Sequence, residues 1–156
     1  MKIFKSCYLL FVALVCFISS FAQDIRGLHL EELDDEFVIV DKTSMQRSTP
    51  YQTEGDFYFT RQVNVDGNGQ NIIGDAANEP SIAVDPTNPF RMVIGWRQFD
   101  TVNSNFRQAG YGYSLDGGLT WTFPGVLDPG NFRSDPVLDF DSEGNFYYNS
   151  LQSSFA

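Results

Sequence analysis

Cysteine is almost missing from this chain. There are two, Cys7 and Cys16, and both lie in the first 22 residues. That segment, MKIFKSCYLLFVALVCFISSFA, has Lys2 and Lys5, an apolar run from Tyr8 to Ile18, and the ending Ser20-Phe21-Ala22. This is the order of a secretory signal, with cleavage expected after Ala22. The apolar run is shorter than the roughly 20 residues of a membrane helix, so no membrane span is expected after cleavage. The processed chain would be secreted, periplasmic or held at the cell surface, and it would contain no thiol. That excludes a disulfide framework and a cysteine nucleophile.

Histidine is equally scarce. His29 is the only one, in a stretch that runs on into Glu31, Glu32, Asp34, Asp35 and Glu36, so neither a histidine-based metal centre nor a Ser/His/Asp set can be assembled. Positive charge is also low: 10 Lys and Arg face 20 Asp and Glu, a net −10, and loss of Lys2 and Lys5 takes this to about −12. A surface of that sign repels phosphate backbones, so nucleic acid is not expected as a partner. No helical period is visible after Gly55, and no phosphate-cradling glycine loop joins a strand to a helix.

What is present is strand and turn chemistry. Residues 23–56 read as an acidic leader, in which FVIVD is the one strand candidate. From 57 onward come FYFTRQVNV, PSIAVD, RMVIGWR, AGYGYS, LTWTF, PVLDF and NFYYNSL, rich in β-branched and aromatic residues. DGNG, DPTNP, DGG, DPGN and DSEGN separate them with the residues that turns require. The chain is expected to be all-β.

An echo runs through this half. EPSIAVDPTNPF starts at Glu79 and DPVLDFDSEGNF at Asp135, an offset of 56 at which Pro80 matches Pro136, Asp85 matches Asp141 and Phe90 matches Phe146. Four strand candidates, near 80–85, 91–97, 109–114 and 119–123, fall between the two starts. A four-stranded antiparallel unit recurring at this spacing is the mark of a β-propeller blade. One blade would occupy about 79–134 and half of a second 135–156. Closing a ring takes roughly four to eight blades, so the propeller is expected to be incomplete in this chain, as in an N-terminal fragment of a longer protein.

Ser114, Asp116, Gly118, Thr120 and Trp121, in SLDGGLTW, satisfy all five positions of an Asp-box, or BNR repeat. From about Glu79 onward the chain resembles the sialidase-like β-propellers secreted by bacteria. In the blade read above this turn joins the third and fourth strands, on the same side as DPTNP. Its residues are local turn formers, a hairpin scaffold rather than a reaction centre. The resemblance implies a ligand funnel on the opposite side, among the loops that carry Arg97, Asp100, Arg107, Arg133 and Asp135.

The resemblance further implies an exo-sialidase, a glycoside hydrolase that removes terminal sialic acids with three carboxylate-binding arginines, a tyrosine nucleophile with its glutamate, and an aspartate acid/base. Phe132-Arg133-Ser134-Asp135-Pro136 approximates the Phe/Tyr-Arg-Ile-Pro stretch of the first arginine, with the proline one place late. Arg133 is therefore either a substrate arginine or one that packs the blade. Arg97, Glu79 and Asp135 are the other candidate substrate contacts, and no catalytic residue can be named. A non-catalytic Asp-box propeller that binds glycans or glycoproteins fits the same residues, as does an adhesion component that uses the propeller as a spacer. No cofactor is required. Calcium is the one ion whose loop spacing occurs, through Asn64, Asp66, Asn68 and Asp75 around Gly69, but Asn at the first and fifth positions and Asp at the twelfth depart from that loop, and a plain hairpin turn is the favoured reading of the stretch.

Overall fold

A computed structural model describes residues 35–153. The proposed signal, His29 and the first acids of the leader lie outside the described residues. Ten strands are found there: β1 (Arg47–Ser48), β2 (Gln52–Gly55), β3 (Tyr58–Arg61), β4 (Asn71–Ile72), β5 (Ala76–Val84), β6 (Met92–Phe99), β7 (Gln108–Ser114), β8 (Thr122–Leu127), β9 (Phe132–Phe140) and β10 (Phe146–Ser153). One 3-10 turn, Lys42–Ser44, precedes them. The protein is all-β, built of small antiparallel sheets, and none of these closes on itself.

The central sheet is a four-stranded meander in the order β5-β6-β7-β8. Its strands fall close to the positions expected from the turn residues, except that the fourth begins at Thr122. Thr120 and Trp121 stay in the turn, where Trp121 Nε1 donates to the Gly118 carbonyl at 3.0 Å. The β9–β10 hairpin rests on one face of this sheet. Leu138 N–H donates to Ser81 Oγ at 3.0 Å, and the Tyr148 hydroxyl donates to the Gly110 carbonyl at 3.2 Å. Gly95 makes the approach possible, since a Cβ there would lie 2.6 Å from Leu138 Cδ1 and closer still to the Tyr148 ring. On the other face, Val63 reaches Gly112, and Trp96 stacks against Phe123 at 5.1 Å.

The 56-residue echo is structural. β5 and β9 each carry a bulge at the acid-proline pair: two residues, Glu79 and Pro80 or Asp135 and Pro136, oppose one on the neighbouring strand. Glu79 and Asp135 both take positive φ, 51° and 52°. Each strand then ends on an aspartate that caps the following turn. Asp85 Oδ1 accepts from Thr87 N and Thr87 Oγ1, at 2.8 and 2.7 Å, and Asp141 Oδ1 accepts from Glu143 N and Asn145 N, at 2.9 and 3.0 Å.

The described part of the leader is bonded to the rest of the fold. FVIVD forms no strand, yet Phe37 packs on Phe106 at 5.3 Å, and Asp35 accepts from Asn105 N–H at 2.6 Å. Lys42 bridges Asp75 and Asp100 at 2.8 and 2.7 Å, and β1 pairs with β4. From Asp35 onward this segment belongs to the folded body. FYFTRQVNV, expected as a strand, is one over Tyr58–Arg61, in the small β2–β3 hairpin where the neighbouring Phe57 is 99% exposed.

Candidate functional site: the loop end of the sheet

The meander gives the central sheet two ends of different chemistry. The turn end collects the β5–β6, β7–β8 and β9–β10 turns. Gly117 N–H donates to the Phe90 carbonyl at 3.0 Å, which fixes the β7–β8 and β5–β6 turns side by side as expected. In the Asp-box-like turn, buried Ser114 Oγ accepts from Gly118 N–H at 2.8 Å and donates to Asp116 Oδ1 at 2.8 Å. Asp116 in turn accepts from Thr120 N and Oγ1 at 2.9 and 2.5 Å. These bonds, that from the Thr120 hydroxyl foremost, hold the Asp116 carboxyl down to about 2. Gly117 and Gly118 supply φ of 75° and 87°. Every polar group here is spent on the turn itself.

The loop end receives the β6–β7 loop, the β8–β9 connection and the bulged starts of β5 and β9. Three acids in this region, Glu79, Asp128 and Asp135, are the described non-glycine residues with positive φ, and each precedes a proline. The left-handed conformation is costly for a side chain with a Cβ, and a following proline restricts it further. Each acid has a guanidinium nearby. Arg97 pairs with Glu79 across the bulge, and Arg133 Nη2 reaches Asp128 Oδ2 at 2.8 Å. Arg107 Nε donates to Ser134 Oγ at 3.3 Å, and that hydroxyl donates to Asp135 Oδ1 at 2.8 Å. The Arg107 guanidinium lies over Phe132, 4.6 Å from the ring centroid. Burial lowers its pKa, and the Asp135 charge opposes that.

The sequence-read candidates Arg97, Arg133, Glu79 and Asp135 are thus all on the loop end. Both acids are exposed, while Arg133 and Arg97 are partly covered. Arg107 was visible only as one polar loop residue among many; its link to Ser134 and Phe132 crosses more than 20 positions and leaves no local signature.

The proposed calcium positions are used differently. Asp66 Oδ1 accepts from Asn68 N and Gln70 N, both at 2.9 Å, and Oδ2 takes Arg47 Nε at 2.8 Å. Asp75 takes Lys42 Nζ and, at 2.6 Å, Gln98 Nε2. Both carboxylates face cations, and among the described residues no group of three or more His, Cys, Asp or Glu is placed to hold a metal ion.

Tyr148 is pushed up to about 12 by burial, and Tyr147 is raised by its hydrogen bond to Asp141. Both are neutral phenols at physiological pH. Among the described residues no helix is long and apolar enough to cross a membrane. No family model, curated protein or solved structure matches this chain.

Proposed function

We propose that the protein is a secreted, sialidase-like propeller protein whose loop end recognises the carboxylate of terminal sialic acids on glycans. The observation that carries this reading is the repeated acid-proline bulge. Strained backbone gathers at functional sites, and here it recurs at Glu79 and Asp135, each beside an arginine and opposite the Asp-box-like turn. Arg133 and Arg97 would grip the sugar carboxylate, since a guanidinium fork matches its two oxygens. Glu79 and Asp128 act as resident counterions that the ligand displaces, while Arg107 and Ser134 hold Asp135 in place.

Binding without hydrolysis is the second reading. It is favoured by Tyr147 and Tyr148 both standing as neutral phenols, the opposite of what a tyrosine nucleophile requires. A fluorogenic sialoside measures turnover, and saturation-transfer NMR with N-acetylneuraminic acid measures binding. Loss of a charge-assisted hydrogen bond is worth about 1.5–3 kcal/mol, so Arg133→Ala should weaken binding at least about tenfold. Arg91→Ala, at the turn end, should leave binding unchanged. Absence of sialoside binding to the unmodified chain at millimolar concentration would refute both readings; binding without turnover would select the second.

A further inference from the structure

The described leader grips the β6–β7 loop at both ends. Lys42 Nζ meets Asp100 Oδ1 at 2.7 Å where the loop begins, and Asp35 accepts from Asn105 N–H at 2.6 Å near its close. Between these anchors Phe37 packs on Phe106, with ring centroids 5.3 Å apart. The same ring lies beside Gly130 of the β8–β9 connection, where an added Cβ would stand 3.6 Å from Phe37 Cε1. We propose that Phe37, with Asp35, is a positioning residue of the loop end. It sets the β6–β7 loop against the β8–β9 connection and so fixes Arg107 relative to the Asp128–Arg133 pair. Its consequence for sugar binding rests on the function proposed above; the placement of these side chains does not.

The contacts converge on one guanidinium and one glycine. Phe106 stands edge-on to Phe132 at 5.9 Å, and Arg107 lies over that second ring at 4.6 Å. The backbone follows the same path. Arg107 Nη1 donates to the Asn105 carbonyl at 3.1 Å, and Arg133 N–H donates to the Arg107 carbonyl at 3.0 Å. From the other anchor, Asp100 Oδ2 accepts from the buried Gln108 side chain at 2.8 Å, and Gln108 Oε1 accepts from Gly130 N–H at 2.7 Å. Lys42 and Phe37 therefore reach Gly130 by separate routes. Charged groups carried on loops keep their spacing only where the side chains behind them are locked by packing and hydrogen bonds.

Burial of apolar surface does not account for the course of the leader. Val38 and Ile39 are 63% and 86% exposed, and Phe37 itself is 38% exposed. A segment held for its hydrophobic area would turn those side chains inward. The loop also supplies little restraint of its own. Asn103 N–H donates to Thr101 Oγ1 and Phe106 N–H to Ser104 Oγ, at 3.2 and 3.1 Å, each only two residues away. Val102 N–H ties the middle of the loop to the Gly74 carbonyl at 2.8 Å, which leaves Asn105 and Phe106 to the leader.

The test uses the full chain carrying Phe37→Ala, Asp35→Ala, Phe37→Tyr or, as control, Val38→Ala. Amide hydrogen exchange reads the loops, and the Nε–H resonance of Arg107 reads the guanidinium over Phe132. Loss of the Phe37 ring should speed exchange at Asn105, Phe106 and Gly130 about two- to tenfold and shift the Arg107 resonance, with exchange in β6 unchanged. Asp35→Ala should speed exchange at Asn105 and shift the same resonance. Phe37→Tyr keeps the ring and should preserve both signals, and Val38→Ala should alter neither. The proposal is overturned if the Arg107 resonance stays in place in Phe37→Ala, if exchange rises evenly across β5–β8, or if Phe37→Tyr behaves as alanine does. Where the unmodified chain binds N-acetylneuraminic acid, Phe37→Ala should weaken binding about threefold or more through partial loss of a charge-assisted bond. Unchanged affinity beside a shifted Arg107 would overturn the role in the site. Absence of binding by the unmodified chain refutes the proposed function alone, and the Arg107 resonance still decides the positioning.

Discussion

Gly95→Ala is the substitution whose sign best tests how the β9–β10 hairpin sits on the sheet. In the interior of a free strand, glycine to alanine gains roughly 0.5–1 kcal/mol because the unfolded chain loses freedom. At Gly95 the added Cβ would lie 2.6 Å from Leu138 Cδ1, and nearer to the Tyr148 ring. Neither neighbour can withdraw freely, because Leu138 N–H is bonded to Ser81 Oγ and the Tyr148 hydroxyl to the Gly110 carbonyl. Overpacking of a closed site costs about 1–3 kcal/mol, so the net effect is a loss of about 1–2 kcal/mol. The compact unit, Leu33–Ala156, is about 124 residues long. At that size each kcal/mol moves the melting midpoint by about 4 °C, giving a drop of roughly 4–8 °C by calorimetry. A urea titration should show a lower midpoint at unchanged slope. Gly67→Ala is the control: it has negative φ and nothing within 4 Å of an added Cβ, and should gain about 0.4–1 kcal/mol. If Gly95→Ala stabilises as Gly67→Ala does, the hairpin does not rest on β6 and the hairpin-on-sheet packing is wrong.

Ser114→Ala removes the acceptor of the buried Gly118 N–H and should cost about 2 kcal/mol, read as a lower urea midpoint. Acid should act through the turn end. Asp116 sits at about 2, and Asp85 and Asp141 are also held below the ordinary carboxylate range by hydrogen bonds, led by those from Thr87 and Asn145. Depressed folded-state values give stability that is complete above the unfolded value near 4 and is lost as pH falls through the folded ones. The urea midpoint should therefore fall between pH 4 and 2, and Asp116→Asn should flatten part of that fall. An unchanged slope in that variant would contradict the assignment. Lys42→Met leaves the Asp75 carboxylate, 2% exposed, without its cation and should cost about 3 kcal/mol. Adding Asp75→Asn should restore most of that loss and the protease resistance of residues 35–50.

Much of this architecture was legible because its causes are local. DPTNP, SLDGG and DSEGN each place an aspartate or serine oxygen where the next few backbone N–H groups need an acceptor, so the turns announce themselves. The acid-proline echo was equally readable, since proline removes a ladder donor at the same point of both strands. The docked leader was not. Asp35 reaches Asn105 across 70 positions and Lys42 reaches Asp75 across 33, and single polar contacts of that range carry no periodicity. The 64–75 stretch shows the converse limit. Its oxygens have calcium-loop spacing, but spacing does not say where a carboxylate points, and Arg47 and Lys42 arrive from another part of the chain. The start of β8 moved for a related reason. Thr120 looks like strand residue and bonds Asp116 instead, which delays the strand to Thr122.

The acids of the sheet thereby divide into two populations by what surrounds them. Asp85, Asp116 and Asp141 are surrounded by backbone and hydroxyl donors, and their charge is consumed in closing turns. Their removal would loosen the scaffold without altering what it binds. Glu79 and Asp135 occupy the other end of the same strands and receive no comparable cap. Glu79 has Arg97, Asp135 has one hydroxyl, and both remain exposed on backbone that costs energy to hold. A caps-only role would not require positive φ ahead of proline in two repeats. Selection for a fixed carboxylate beside a guanidinium would, because the bulge swings that side chain out of the pleat and toward the loops. Replacing the Asp135-Pro136 pair with Gly-Pro separates the two explanations: strain is relieved, so the melting midpoint should rise, while sialoside binding should weaken. A rise in stability with binding intact would remove Asp135 from the site and leave the arginines alone to carry it.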